Sequence, residues 1–573
     1  MSTTRDALAL HAAGRTTDAL ILLFNAVGVP DRAHPAHEEK QLLVQLLEGV
    51  ALNSGNDVIH RVLLELLRDT AIDAQQVARA ALGLVVASPE FVALEQWSTV
   101  PDAQISESQL APVLLAFLSL PLARALLPRV VLSESRVERV VTFARRALLA
   151  FITGETSAEP WHWEAVHLLA QSAFNGEYAW HEAIDEREFV DAAAAHLSTW
   201  LAERSEALEE VTADAPAPML LLYALYRRLT LLAHWERLAQ VPAATWEPFG
   251  EWTAPTVAQH VHERLDERHL AEVMPALSPP EIPDCNEASV RVRAMYEAHP
   301  YPRWTALGTP RVTSVASFVR ELSGRSAPLD TLRLLVAGCG TGRQAAHTAR
   351  SFPDSRVLAL DLSSASLGYA ARMTQGLGID TVDFMQGDIL ALDTTSEQFA
   401  IIFCSGVLHH LQNPHAGWAQ LVQRMHPLGV MKIALYSETA RQAVAAARAL
   451  IDAHKFAGTD DDVRHCRALL LALPGDDAAR AVTDSTDFYS LSGCRDLVMH
   501  VQERAYTLPA LAADLNALQL RFLGFQLPVN VQQAFRREHP ASGAIRSLDA
   551  WAQFEQRHPS TFWGMYQFFV EKR

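Results

Sequence analysis

The sequence predicts a two-part molecule: an all-α N-terminal half, then an α/β half built on a mostly parallel seven-stranded sheet that carries a helical insertion. Three observations support this. Apolar residues recur at spacings of three and four up to about residue 280, short β-branched and leucine-rich runs alternate with helical stretches beyond it, and a proline-rich connector separates the two regimes.

In the first half Ala and Leu dominate and glycine is sparse. VIHRVLLELLRDTA and SRVERVVTFARRALLAF each show one apolar stripe at helical spacing, which predicts helices throughout 1–280. The first 30 residues form a helix-turn-helix phrase, with Gly14, Ala19, Leu22, Ala26 and Pro30 placed much as in a tetratricopeptide repeat. No second copy follows at a step of about 34 residues, so a helical superhelix with one tetratricopeptide-like unit is expected. The most apolar stretch, LAPVLLAFLSLPLARALLPRVVL, is interrupted by Pro112, Pro121, Arg124, Pro128 and Arg129. It lacks the roughly 20 clean apolar residues of a membrane span and reads as two buried helices, so no membrane contact is expected.

Composition narrows the function. With 48 Lys and Arg against 66 Asp and Glu, the net charge is -18, and no basic run interrupts it. Such a surface repels a phosphate backbone, so no nucleic-acid partner is expected. The five cysteines are scattered without a CxxC pair, which predicts a reducing compartment, no disulfide framework and no metal site. Asp6 stands where a signal peptide needs unbroken apolar residues, and a cytoplasmic bacterial protein is the expectation.

ALSPPEIPDCNEA (276–288) contains three prolines and predicts a boundary near 285, dividing the chain into 1–280 and 286–573. Beyond it TLRLLVA, SRVLAL, TVDFM, FAIIFC and VMKIAL read as parallel strands buried on both faces. LRFLGFQL (520–527) and WGMYQFFVEK (563–572) read as a closing antiparallel pair, with no clear crossover helix before the last. Between the fifth and sixth strands lie roughly 80 residues, where a crossover needs about a dozen. The excess predicts a helical cap at 440–515 over the substrate.

The first strand runs into Gly338-Cys339-Gly340-Thr341-Gly342 and then a helix beginning near Arg343. Glycines suit a sharp turn against which a ligand packs, and the helix N-terminus behind it favours negative charge. A dinucleotide fingerprint wants glycine at the sixth place, where this chain has Arg343, so the GxGxG form favours S-adenosylmethionine over a nicotinamide cofactor. Asp361 ends the second strand 19 residues after Gly342, where a carboxylate can take both ribose hydroxyls. Asp388 follows the third strand, placed to receive the adenine amino group, with Ile389 offering a backbone N–H and apolar cover. Each alone reads as readily as a turn or a helix cap. Together, each just past the C-terminal end of a successive strand, they mark the crevice of a Rossmann-like sheet.

Across 331–436, LLVAGCGTG, LALDLS, MQGDIL, IIFCSGVLHHLQNP and MKIALYS resemble the ordered motifs of class I S-adenosylmethionine-dependent methyltransferases. YEAHPYPRW (296–304), GVLHHLQNPHAGW (406–418) and LYSETAR (435–441) are similar to bacterial methyltransferases with tetratricopeptide-like helices ahead of the catalytic domain. The resemblance implies that Gly338, Gly340 and Gly342 cradle the cofactor, Asp361 and Leu362 hold the ribose, Asp388 and Ile389 meet the adenine, and Ser405 and Gly406 line the pocket. Many relatives carry an acidic residue at the end of the first strand. Here Leu335, Val336 and Ala337 are apolar, so that contact is missing or supplied elsewhere.

The acceptor is then expected beside the fourth and fifth strands, facing His409, Tyr436 and Glu438. Because the sulfonium is already activated, catalysis needs mainly alignment, with a base only for a protonated acceptor. His409, Tyr436 and Tyr301 are the catalytic candidates; His409 reads more readily as a packed histidine than as a base, and His410 as a packing residue. Tyr296, Tyr301, Arg303 and Trp304 form either a lid that clamps a carboxylate or covers a cation, or a joint stiffened by Pro300 and Pro302. In the cap, Tyr489, Arg495, His500 and Glu503 are candidate acceptor contacts, the last two spaced to share a helix face. A peptide or protein side chain is the first acceptor expected, since helical superhelices present concave surfaces. A small molecule under the cap is the alternative, with the helical half then serving a protein partner or self-association. The rival classes are a non-catalytic adaptor on a degenerate fold and a nicotinamide-dependent oxidoreductase.

Overall fold

A computed structural model describes residues 2–29, 37–100, 106–154, 158–203, 216–277, 287–325, 329, 332–562 and 564–573. The proline-rich stretch at 278–286, with Cys285, and Pro30 lie outside these residues. The chain divides into two units, one formed by Met1–Asp266 with His454–Leu497, the other by Glu267–Ala453 with Val498–Arg573. The division falls earlier than the boundary expected near 285, and much of the expected cap, 454–497, belongs to the helical unit.

In the helical unit the apolar stripes become buried faces. Asp57–Arg68 is capped by Asn56, whose side chain accepts the Ile59 N–H, and buries Val62, Leu63, Leu66 and Leu67. Ser135–Thr153 is capped by the Glu134 carboxylate and buries Val137, Val140, Val141, Ala144 and Leu148. The proline-interrupted stretch forms Glu107–Leu118 and Pro121–Leu126, with Leu114, Phe117, Leu122 and Leu126 buried. Among the described residues no single helix is long and apolar enough to cross a membrane. The opening phrase is a helix pair, Ser2–Ala12 and Thr16–Val27, turning at Gly14 with φ 79°.

The segment from the distant insertion is held in this unit by charge as well as apolar contact. The buried Arg467 guanidinium meets Glu138 at 2.6 Å and donates to the Phe488 carbonyl at 2.6 Å. The Ser492 N–H donates to the Glu177 carboxylate at 2.7 Å. A helix periodicity is the same whether an insertion covers a sheet or joins another helical core; these long-range pairs decide it.

The second unit contains all seven expected strands: β1 (Arg333–Ala337), β2 (Arg356–Asp361), β3 (Val382–Gln386), β4 (Phe399–Ser405), β5 (Met425–Tyr436), β6 (Leu520–Phe525) and β7 (Met565–Lys572). Their order is β3-β2-β1-β4-β5-β7-β6, with the first five parallel and β7 antiparallel to both β5 and β6. Alternation puts Leu335, Leu358, Ile402 and Cys404 into one core and Leu334, Val336, Val357, Ala359 and Ile401 into another, so both faces are covered. A helix does precede the last strand: Leu548–Arg557, started by the Ser547 cap, buries Trp551 and Phe554. The parallel order reverses between β1 and β4, which opens a crevice beyond the C-terminal ends of these strands.

Candidate active site

The turn after β1 is left-handed at Gly338, Gly340 and Gly342, with φ of 71°, 52° and 83°. The N–H groups of Gly338 and Cys339 both donate to the Leu360 carbonyl, at 2.8 and 2.9 Å, fastening the turn to β2. A ligand was the expected neighbour of these glycines, yet the chain itself already needs them. A Cβ at Gly340 would stand 2.6 Å from the Tyr301 carbonyl oxygen, one at Gly342 would stand 2.5 Å from the Ala370 Cβ, and one at Gly338 would collide with Val407.

Asp361 closes β2 with its carboxylate accepting the Gly340 N–H at 2.7 Å and the Ser363 N–H at 2.9 Å. Burial pushes its pKa up, against the pull of these hydrogen bonds, and Glu297 pushes it further. Glu297 escaped the sequence reading. Its carboxylate accepts the N–H groups of Ser364 and Ala365 at 2.8 and 2.9 Å, capping the helix Ser364–Gly376 just beyond Asp361. Leu362 is half-buried, its carbonyl accepting from the Gln386 amide at 3.1 Å. Asp388 accepts the Leu390 N–H at 2.9 Å, the capping role its neighbourhood allows, and Ile389 is buried in the core. Ser405 ends β4 with a buried Oγ that has no hydrogen-bond partner among the described residues, and Gly406 follows at φ 74°.

The 300–304 segment is strapped to the glycine turn. The buried Trp304 indole donates to the Thr341 carbonyl at 2.8 Å, Thr341 donates through its hydroxyl to the Pro302 carbonyl, and the Tyr369 hydroxyl donates to the Trp304 carbonyl. Tyr301 and Arg303 remain half-buried.

Beyond β4 and β5 lies a cluster of rings and guanidinium groups. His409 is fully buried, its ring 3.9 Å from that of Tyr436, and neither ring nitrogen has a hydrogen-bond partner among the described residues. His410 Nδ1 donates to the Gln502 carbonyl at 2.7 Å, and its ring stacks on His500 at 3.6 Å. His500 Nδ1 accepts the Gln502 N–H at 3.1 Å, which leaves Nε2 to donate to the Tyr296 hydroxyl at 3.2 Å. Burial holds all three histidines below their ordinary pKa, His409 well below, His410 at about 4 and His500 at about 2; the rings are neutral at pH 7. The Arg441 guanidinium lies 3.7 Å from the centre of the Tyr436 ring, and Arg441 and Arg448 each meet Glu503 at 2.7 Å.

The expected helix-face pairing of His500 with Glu503 does not occur. The helix Leu491–Met499 ends just before them, and each turns to its own partners. Tyr489 and Arg495 serve the helical unit: Tyr489 is buried near the Arg467 guanidinium, and Arg495 bonds Asp460 at 2.7 Å and the Gly458 carbonyl. Glu438 is exposed. Behind it, buried Glu555 accepts hydrogen bonds from Ser437 at 2.9 Å and Tyr566 at 2.8 Å, which anchors the turn after β5.

The family model described as a methyltransferase domain matches residues 334–429. An uncharacterized protein of Synechococcus sp. is 29% identical over 282 residues, covering 46% of this chain and 66% of that protein. Trans-aconitate 2-methyltransferase of Deinococcus radiodurans is 33% identical over 119 residues, covering 19% of this chain and 43% of that enzyme. The chain thus spans two thirds or less of the length of these relatives. The solved structure of PKMT2 from Rickettsia typhi in complex with AdoHcy is 18% identical, covering 48% of this chain and 55% of that one with a TM-score of 0.37, too loose a likeness to carry an argument. Ordered motifs, sheet order and family match agree: the second unit carries a class I S-adenosylmethionine-dependent methyltransferase domain.

Proposed function

We propose that the chain is an S-adenosylmethionine-dependent methyltransferase that acts on a nucleophilic nitrogen or oxygen atom of an acceptor lodged beyond β4 and β5. The observation that supports this reading is the join between Asp361 and the glycine turn, a carboxylate at the end of β2 hydrogen-bonded to the turn after β1. Both Asp361 oxygens accept backbone N–H groups and a carboxylate has further lone pairs for hydroxyl donors, and Ser405 Oγ lacks a partner among the described residues, so the donor and acceptor set fits the cofactor.

Gly338, Gly340 and Gly342 would cradle its methionine end, Asp361 and Leu362 its ribose, Asp388 and Ile389 its adenine, with Ser405 and Gly406 lining the pocket. When bound, the cofactor supplies a methyl group already activated on a sulfonium. The protein's part is to align the acceptor and keep water out. Neutral His409, held against Tyr436, can accept or donate a hydrogen bond there, and Tyr301 sits in the strap over the glycine turn.

The helical unit supports a peptide or protein side chain as acceptor, or a protein partner or second copy bound to its surface. The match to an enzyme named for a small acid supports a small-molecule acceptor instead. A cytoplasmic setting suits four buried free cysteines among the described residues. Calorimetric titration with S-adenosylmethionine and, separately, NADH tests the proposal. Heat on the first and none on the second is expected. Silence from a folded chain would leave the adaptor reading, and NADH binding alone the oxidoreductase reading.

A further inference from the structure

The cluster beyond β4 and β5 also speaks to the acceptor atom. His409 is fully buried, and neither of its ring nitrogens has a hydrogen-bond partner among the described residues. Buried polar atoms are rarely left so, and atoms in this state on the acceptor side point to a polar ligand group. Beside them, the Tyr436 ring lies against both His409 and the Arg441 guanidinium, and Arg441 and Arg448 converge on one carboxylate, Glu503. Burial is the first cause of the neutrality of the three rings, and Arg441, joined by Arg448 at His410 and His500, adds to it as a like charge.

Acceptor classes differ in what they ask of such a place. An ammonium group would enter a cationic field and would have to lose a proton to His409, a base too weak at neutral pH to take it. A carboxylate is attracted by the guanidinium groups, can accept an N–H from neutral His409, and already has the lone pair that attacks. Resting on the methyltransferase reading above, we infer that the acceptor atom is a carboxylate oxygen and the product a methyl ester. In the transfer the carboxylate oxygen forms a bond to the methyl carbon while the carbon–sulfur bond breaks and its electrons stay on sulfur. The ester is neutral, the co-product is a neutral thioether, and no proton moves.

The test begins with calorimetric binding of S-adenosylhomocysteine to the full chain. The loaded protein is then titrated with citrate, glutarate, a glutamate-rich peptide and a lysine-rich peptide. Binding of at least one carboxylate probe is expected, with Arg441→Met weakening it about tenfold or more and Arg441→Lys recovering part of the loss. Circular dichroism checks that both variants fold, and His409→Asn gives a second reading should Arg441 prove essential for folding. Whether small acids or the glutamate-rich peptide bind separates a metabolite from a protein carboxylate.

With tritiated methyl donor, label on the bound probe is expected to be released by alkali as methanol, as an ester releases it. Alkali-stable label on the lysine-rich peptide overturns the inference, as does a loaded chain that binds no carboxylate probe at millimolar concentration. Both outcomes leave the methyltransferase reading standing. Failure to bind S-adenosylhomocysteine at all overturns both.

Discussion

The Asp361 carboxylate accepts the Gly340 N–H at 2.7 Å, so the end of β2 and the turn after β1 form one hydrogen-bonded unit. Asp361→Asn is expected to weaken S-adenosylmethionine binding roughly tenfold to a hundredfold, the worth of a hydrogen bond to a charged group. Its effect on stability depends on pH. Burial raises the folded-state pKa, so the native state holds its proton to higher pH than the unfolded chain, and the charged form costs stability as pH rises past the unfolded value. Asp361→Asn removes this titration but sets an amide NH2 against one of the two backbone N–H donors, so its melting should depend less on pH than that of wild type above about pH 4, while calorimetry shows lost affinity.

Gly340→Ala drives a Cβ to within 2.6 Å of the Tyr301 carbonyl at a backbone φ of 52°. About 2 kcal/mol or more of stability should be lost. Hydrogen exchange at 300–304 should rise in the variant, because the strap and the turn cannot both keep their places.

His409, His410 and His500 titrate below their unfolded pKa of about 6.5. Protonation then favours the unfolded chain, so their contribution is complete above about pH 6.5 and is lost as pH falls toward the folded values. Each ring steepens the loss by about 1.4 kcal/mol per pH unit in that window. Melting between about pH 7 and pH 5 should be visibly less pH-dependent in a His410→Gln, His500→Phe variant; an unchanged slope would contradict this.

In the helical unit, Arg467→Ala leaves Glu138 buried without its partner and two carbonyls without their donor. A cost of about 3–5 kcal/mol is expected in urea unfolding. Replacing both members, Glu138→Leu with Arg467→Met, should recover much of it, since a buried pair gives back little more than it costs to desolvate.

How much of this the sequence disclosed depends on the range of the contacts. The glycine turn, Asp361 and all seven strands were legible because each is set by local backbone geometry and alternation. The place of Asp388 just past β3 is equally local, and its Oδ1 accepts the Leu390 N–H as an acid before a short helix does. Arg441 and Glu503 stand 62 positions apart and Glu297 and Ser364 stand 67 apart, so no local spacing brings either pair to notice. The assignment of 454–497 was illegible for the same reason, since Arg467 and Glu138 are 329 positions apart.

The central claim, that the join of Asp361 to the glycine turn forms the cofactor site, is tested most directly by titrating S-adenosylhomocysteine into wild type and Asp361→Ala, with circular dichroism confirming that both fold. Saturable binding to wild type that Asp361→Ala loses is the predicted result. Equal binding by both, or none by folded wild type, would contradict the claim.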